Sequence, residues 1–379
     1  ENIPYTSSYT NAAGEQVEDQ LQIALTIVDP TNGYVVAMIG GAGEKVVDRG
    51  WNWAVNARQC GSAIKPVSTY APALDDGTIN GASVIDDYPM LLNGEVWPRN
   101  ANWRYQGLTA LHTAIAQSLN TCAVRTNLAY GVSNSYDFLV NKLGFENLTY
   151  TDSQQVGNMA LGGFEKGVTT EEMSAAYAAF VNEGVYTKPR TFIRVEDANG
   201  NVVLENEAQS TVAMKNTTAA IINHLLQEAA LNGTGYEAQF SGMHIAGKTG
   251  STNSNKDRYF VGYTPYYSCA VWAGYEHNQR IVASGNPCSA VFRKVMSAIH
   301  EDLPDKDFFS CSGLTSVAVC ADSGMLASEN CALDVRGSRV YTALVAADNA
   351  PTAVCTMHTA PTYTVNMADS DGNVTTVTG

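Results

Sequence analysis

Ser62 and Lys65 stand three residues apart in Arg58-Gln59-Cys60-Gly61-Ser62-Ala63-Ile64-Lys65-Pro66. On a helix they share one face and their side chains can meet. A serine hydroxyl becomes a nucleophile when a base takes its proton, and a lysine serves as that base only if its pKa is lowered. A helix start also aims backbone N–H groups and the positive end of the dipole at the same spot, which suits a developing oxyanion. Pro66 has no N–H and clashes with the carbonyl four residues back, so the first turn is expected to be irregular. Alone, the pair is better explained as a solvated helix start. Of the ten lysines, however, only Lys65 has a serine three residues before it.

Two further short motifs lie downstream. Ser118-Leu119-Asn120 is one of four Ser-x-Asn sequences, the others starting at Ser251, Ser284 and Ser328. Ser118 differs in closing a helical stretch with an apolar face. Lys248-Thr249-Gly250 occurs once. It ends a predicted strand, where Gly250 would let a substrate backbone approach closely. Gly-x-Ser-x-Gly, His-Glu-x-x-His and the dinucleotide-binding Gly-x-Gly-x-x-Gly are absent, and the six histidines are scattered.

The elements that must position these groups follow from apolar periodicity. Leu21–Val28 and Tyr34–Ile39 read as strands joined by the turn Asp29–Gly33. Ile64, Val67, Tyr70, Ala71 and Leu74 fit one helix face. Residues 78–107 read as a surface excursion, with helices from about Leu108 to Leu143. Gly157–Gly163 reads as a loop, and Thr169–Asn182 as a helix capped by Thr169 or Thr170. A hairpin over 191–204 and a helix over Thr217–Leu231 follow. His244–Gly247, Arg258–Tyr263 and Ser268–Tyr275 read as strands of an antiparallel sheet, before a closing helix at Ala290–Ile299.

The 379 residues allow a large core, and 45% of them are hydrophobic. A formal charge of −15 argues against nucleic acid and anionic lipid as partners. No apolar run is long enough for a membrane helix. The expected organisation is a polar linker over residues 1–20, a catalytic domain over 21–310, and a cysteine-containing C-terminal extension over 311–379. The eight cysteines fit no zinc spacing, with no histidine at ligand distance, so no metal is expected. Disulfides in the tail stay open. Cys122 and Cys269 read as core thiols. Cys60, two residues before Ser62, would be a reactive thiol if exposed at a helix start.

Ser-x-x-Lys, Ser-x-Asn and Lys-Thr-Gly in this order are shared by penicillin-binding proteins and class A β-lactamases. Over about residues 20–300 the chain resembles the transpeptidase domain of bifunctional class A penicillin-binding proteins. Ile27-Val28-Asp29-Pro30 with Ala37-Met38-Ile39-Gly40-Gly41 resembles that family's opening hairpin. Arg58-Gln59-Cys60-Gly61-Ser62 is similar to its Arg-Gln-Pro-Gly-Ser, with Cys60 replacing proline. Gly247–Thr252, Phe260–Pro265 and Val271–Tyr275 look like its active-site strand and the two that follow, with Ser251 where threonine is usual.

The resemblance implies an α/β fold of the penicillin-binding-protein and serine β-lactamase kind, an antiparallel sheet flanked by helices beside a mostly helical lobe. It implies a D,D-transpeptidase on the extracytoplasmic face of the membrane, anchored only by a segment upstream of this stretch. Its partners would be peptidoglycan stem peptides ending in D-Ala-D-Ala and β-lactam antibiotics, with no cofactor. Ser62 would attack, Lys65 act as base, Ser118 pass the proton and Asn120 hold Lys65. Lys248, Thr249, Gly250, Ser251 and Thr252 would bind substrate, and the backbone N–H groups of Ser62 and Ser251 would form the oxyanion hole. The alternatives are a serine β-lactamase, which needs a base to activate water, and a non-catalytic β-lactam sensor. Glu165, Glu171 and Glu172 sit in loop and cap contexts that do not mark such a base.

Overall fold

The computed structural model describes residues 6–44, 48–92, 94–359 and 364–378. Its centre is one antiparallel sheet of six strands: β1 (Thr6–Thr10), β2 (Gln16–Val28), β3 (Val35–Ile39), β4 (Ala246–Ser251), β5 (Asp257–Tyr263) and β6 (Ser268–Tyr275). The order across the sheet is β1-β2-β6-β5-β4, with β3 also paired to β2. All eight residues of β6 are buried, because a strand with neighbours on both edges and covered faces has no surface left for water.

Side chains alternate across the sheet, as a period of two requires. Tyr259, Val261 and Tyr263 of β5 and Trp272 of β6 face one cluster, which they share with Ile64, Val67, Tyr177 and Phe180. Phe260, Cys269 and Val271 face the other, against Phe292 and Met296. The register Val271↔Leu25 and Cys269↔Ile27 puts matching apolar residues on neighbouring strands. A one-residue slip would exchange the two faces, so the pairing is strongly determined.

Helices supply the covering layers: α1 (Leu111–Ala116), α2 (Asn120–Tyr130), α3 (Val156–Leu161), α4 (Thr170–Val181), α5 (Asn216–Leu231) and α6 (Pro287–Ile299). At the start of α4, Thr169 accepts from Glu172 N at 3.0 Å and Thr169 N donates to Glu172 Oε2 at 2.8 Å, closing a capping box. The cap is therefore Thr169 and not Thr170. Among the described residues, no helix is long and apolar enough to cross a membrane.

Several expected elements differ. Residues 6–20 are not a linker: β1 pairs with the first part of β2 from Thr6↔Gln20 to Thr10↔Gln16. Alternating polar residues conceal a strand whose faces are partly solvated. Gly157–Gly163 is not a loop, since α3 runs to Leu161 and ends at Gly162 with φ 74°. The glycine is a left-handed C-terminal cap. Within 78–107 the chain makes the strand Val84–Asp87, which pairs with Gly107–Ala110, so the next helix starts only at Leu111.

In the C-terminal extension, β7 (Leu314–Cys320) pairs with β8 (Val340–Ala346). This ribbon docks directly on the preceding domain: Val319, Ala343 and Val345 pack with Ala82, and the rings of Tyr341 and His112 lie 4.6 Å apart. A Cβ at Gly81 would collide with the Leu344 carbonyl. All eight cysteines are free thiols. Against the expectation that their spacings serve no metal, Cys320, Cys331, Cys355 and His358 converge.

Candidate active site

Ser62 sits in a 3₁₀ turn, Gly61–Ile64, which passes into a wider turn, Pro66–Tyr70, before the short α-helical turn Ala71–Asp75. This is the irregularity that Pro66 predicts. Gly61 has φ 54°, and a Cβ there would collide with the Ser251 carbonyl, as one at Gly250 would with the Cys60 carbonyl. The turn that carries Ser62 is thus pressed backbone to backbone against β4. Tyr177 O–H donates to the Ala63 carbonyl at 2.6 Å and holds the turn from the core side.

Arg58 ties the turn to the sheet. Its Nε donates to Asp257 Oδ1 at 2.9 Å, and its guanidinium lies 4.9 Å from the Trp272 ring centroid. Trp272 Nε1 donates to the same carboxylate oxygen at 3.0 Å. Leaving either charge of such a buried pair alone costs about 3–5 kcal/mol.

Lys65 is fully buried. Its Nζ donates to Asn120 Oδ1 at 2.7 Å and to the Ser118 carbonyl at 2.9 Å, with Ser118 Oγ at 3.4 Å. Every one of these acceptors is neutral. Burial, and then the charge of Lys248, holds the Lys65 ammonium well below the ordinary lysine value. Ser118 itself has φ 58°, a left-handed conformation that costs a non-glycine residue energy and turns the chain sharply between α1 and α2.

Lys248 and Gly250 are buried, while Thr249 and Ser251 are part-exposed, so β4 alternates along the site. Burial lowers Lys248 to about 7. Its Nζ donates to the Thr249 carbonyl at 3.2 Å. Ser62, Ser118, Asn120, Thr249, Ser251 and Thr252 all line one cleft of about 1210 Å³. The hydroxyls and the amide face the cleft, and the two lysines lie buried behind them.

Some residues that shape the site carry no sequence motif. Asn100 accepts from Asn120 N at 2.8 Å and donates to buried Asp87 at 2.7 Å. Asp87 also accepts from Thr121 Oγ1, so this network fixes the Ser118–Asn120 turn. Thr234 accepts from Thr249 Oγ1 at 2.7 Å, and Arg258 donates to Ser251 Oγ at 2.8 Å. Only the register Ser251↔Arg258 would have pointed to the last of these.

Residues 23–297 match the penicillin binding protein transpeptidase domain family. The chain belongs to that family. Residues 310–360 match the C-terminal domain of penicillin-binding protein 1A, so this is a transpeptidase domain of the class A kind. It is 35% identical to penicillin-binding protein 1A of Clostridium perfringens over 96% of this chain and 45% of that protein. It is 35% identical to penicillin-binding protein 1A of Streptococcus oralis over 79% of this chain and 50% of that protein. The chain thus spans about half the length of the curated relatives it matches.

Among solved structures, penicillin-binding protein 1A of Haemophilus influenzae superposes with TM-score 0.73 at 23% identity, over 92% of this chain and 57% of that one. The PonA1 protein of Mycobacterium tuberculosis, in complex with penicillin V, gives 0.65 at 24% identity, over 77% and 81%. The fold is therefore that of the penicillin-binding-protein transpeptidases, an antiparallel sheet with flanking helices and a helical lobe.

In this transpeptidase domain Cys60 is fully buried, and burial pushes its thiol up, not down. The expectation of a reactive thiol beside Ser62 fails, because the residue points into the core. A bulky maleimide added to folded protein should leave Cys60 unmodified in a peptide mass map and leave penicillin labelling unchanged. Modified Cys60 with blocked labelling would contradict that burial. Cys122 is likewise a core thiol, pushed up to about 12. Glu172 is committed to its cap, and Glu165 accepts from Thr149 Oγ1 at 2.7 Å. Glu95, on an exposed two-residue strand, is the only carboxylate among the described residues lining the cleft.

Proposed function

We propose that this chain is the D,D-transpeptidase portion of a bifunctional class A penicillin-binding protein, cross-linking peptidoglycan stem peptides on the extracytoplasmic face of the membrane. The observation that carries the reading is the buried amine of Lys65, held between Ser118 and Asn120 by neutral acceptors. A lysine so placed is poised to be neutral at working pH.

Ser62 Oγ attacks the carbonyl of the penultimate D-Ala and gives its proton to Lys65. The carbonyl oxygen becomes an oxyanion, received by the backbone N–H groups of Ser62 and Ser251. Ser118, within reach of Lys65, relays the proton to the departing D-Ala amine. Lys248, Thr249 and Ser251 grip the terminal carboxylate, for which a cation and two hydroxyl donors are well suited. Gly250 admits the substrate backbone, and Thr252 extends the binding edge. A second stem-peptide amine then attacks the acyl-enzyme, Ser62 leaves, and the cross-link forms. β-Lactams enter the same sequence and stop at the acyl-enzyme. None of these steps calls on a cofactor.

A transpeptidase must keep its acyl-enzyme until an amine arrives, so water in the site should stay unactivated. The penicilloyl adduct on Ser62 is expected to persist for many minutes when intact mass is followed over time. With a thioester donor and a D-amino acid acceptor, transfer to the amine should be seen and should depend on Ser62. Rapid penicillin turnover would favour the β-lactamase reading, with Glu95 as the first base to test. A stable adduct without transfer would favour the sensor.

A further inference from the structure

The three buried cysteines of the C-terminal unit come from separate pieces of chain. Cys320 ends β7, Cys331 lies in the short helix Glu329–Ala332, and Cys355 and His358 share a turn three residues apart. Their Sγ atoms and a His358 nitrogen all lie within 4.8 Å of one another. His358 Nδ1 is 3.5 Å from Cys320 Sγ and 3.6 Å from Cys355 Sγ. A tetrahedral zinc with bonds of about 2.3 Å to sulfur and 2.0–2.1 Å to nitrogen sets its sulfur and nitrogen ligands roughly 3.6 Å apart. The side chains are therefore already at ligand spacing.

The surroundings fit as well. His358 turns Nδ1 to the sulfurs and Nε2 to Asp322 and Asp334, at 3.1 and 3.2 Å. A carboxylate on the far ring nitrogen fixes the tautomer and orientation of a metal-bound histidine. Asp322 is itself held by Arg336 at 2.6 Å and Arg339 at 2.7 Å, which commits it to an outer role. The sulfurs receive donors: Asp322 N reaches Cys320 Sγ at 3.4 Å, and Ser328 N reaches Cys331 Sγ at 3.4 Å. Such donors offset the net negative charge of three thiolates around one divalent cation.

The unit also needs a staple. Among the described residues, and apart from the cysteines themselves, its buried apolar residues are Val319, Ala343 and Val345, packed against Ala82 of the preceding domain. A core of that size does not hold a two-stranded ribbon and its loops unaided. Zinc sites of four protein ligands supply such stability directly.

We propose that Cys320, Cys331, Cys355 and His358 form a structural zinc site that staples the C-terminal unit together. On binding, each thiol releases one proton to solvent and no group changes oxidation state.

The test uses the whole chain, prepared under reducing conditions with zinc present and then gel-filtered. One zinc per chain is expected by elemental analysis. Exchange with cobalt should give the intense thiolate-to-cobalt charge-transfer band and tetrahedral d–d bands. Cys355→Ser and His358→Gln should lose the metal and lower the thermal midpoint, whereas Cys311→Ser should keep it. Substoichiometric zinc in the native chain would overturn the proposal. So would octahedral cobalt without charge transfer, or an intact mass lower by the two hydrogens of a disulfide between two of the three cysteines. Because the metal content and cobalt spectrum are read on the native chain, the outcome does not depend on the variants folding.

Discussion

Ser62→Ala should abolish covalent labelling by penicillin. The wild-type chain should gain the full mass of the antibiotic once, on the peptide containing Ser62, because ring opening transfers the whole molecule to the nucleophile. Removing the nucleophile of a serine acyl-transfer site lowers the rate on the order of 10⁶-fold, so the variant's adduct should fall below detection. Ser62 is part-exposed, and trimming one hydroxyl there should change stability by only about 0.5 kcal/mol. An unchanged thermal midpoint would then separate lost chemistry from lost fold. Labelling that survives in Ser62→Ala would remove Ser62 from the mechanism.

The second large effect belongs to Lys65. Lys65→Arg keeps a positive charge but cannot supply a neutral base, since guanidinium does not deprotonate in proteins. Acylation should slow by about 10²–10⁴-fold, the usual contribution of general-base catalysis. The larger head group must fit a fully buried site, and overpacking costs about 1–3 kcal/mol. Lys65→Met, which also lacks a base, should therefore be measured beside it.

The pH profile gives an independent readout. The neutral fraction of Lys65 rises with pH, so acylation should rise through its pKa and level off above it. Burial and Lys248 hold that pKa well below 10.5, so the plateau should begin at lower pH than an ordinary lysine permits. In the proposed mechanism Lys248 serves as a cation, and burial lowers it to about 7. Its grip on a carboxylate should weaken as pH rises through that value, although a bound carboxylate pushes the pKa back up. The expected profile is a bell with Lys65 on the rising limb and Lys248 on the falling one. In Lys65→Arg the rising limb should vanish. A near-normal rate, or an unchanged rising limb, would point to another base.

Why the site can be tuned this way is a matter of layers. The Ser62 turn touches β4 backbone to backbone, which only glycine at 61 and 250 allows. That contact buries both lysines behind the hydroxyls and supplies the desolvation that lowers them. Arg58, Asp257 and Trp272 fix the same turn from the sheet side. The stability of the core and the acidity of the site therefore depend on the same close packing.

Much of this was legible in the linear chain. Ser62, Lys65 and the clash at Pro66 are local in sequence, and the chemistry proposed for them rests on spacing and residue type. The apolar runs of β5 and β6 are long enough to declare buried strands. The polar stretch of β1 and the start of β2 was not legible, because a half-solvated strand has no apolar signature. Nor was α3, whose glycines read as a loop until Gly162 is seen as its cap.

What the sequence by itself determined is the set of candidate reactive groups and the order of the main elements, since both depend on neighbours a few residues apart. What only the tertiary structure decided is everything set by contacts between distant segments. Asn100 reaches Asn120 across 20 residues and Arg258 reaches Ser251 across the β4–β5 pairing. Cys60 turned out buried, whereas it would read as reactive only if exposed near a helix start. Cys320, Cys331, Cys355 and His358 meet because β7, a short helix and a turn fold onto one point. Ligand geometry, burial and pKa depend on distances in space, and spacing along a chain does not report those once the chain has turned back on itself.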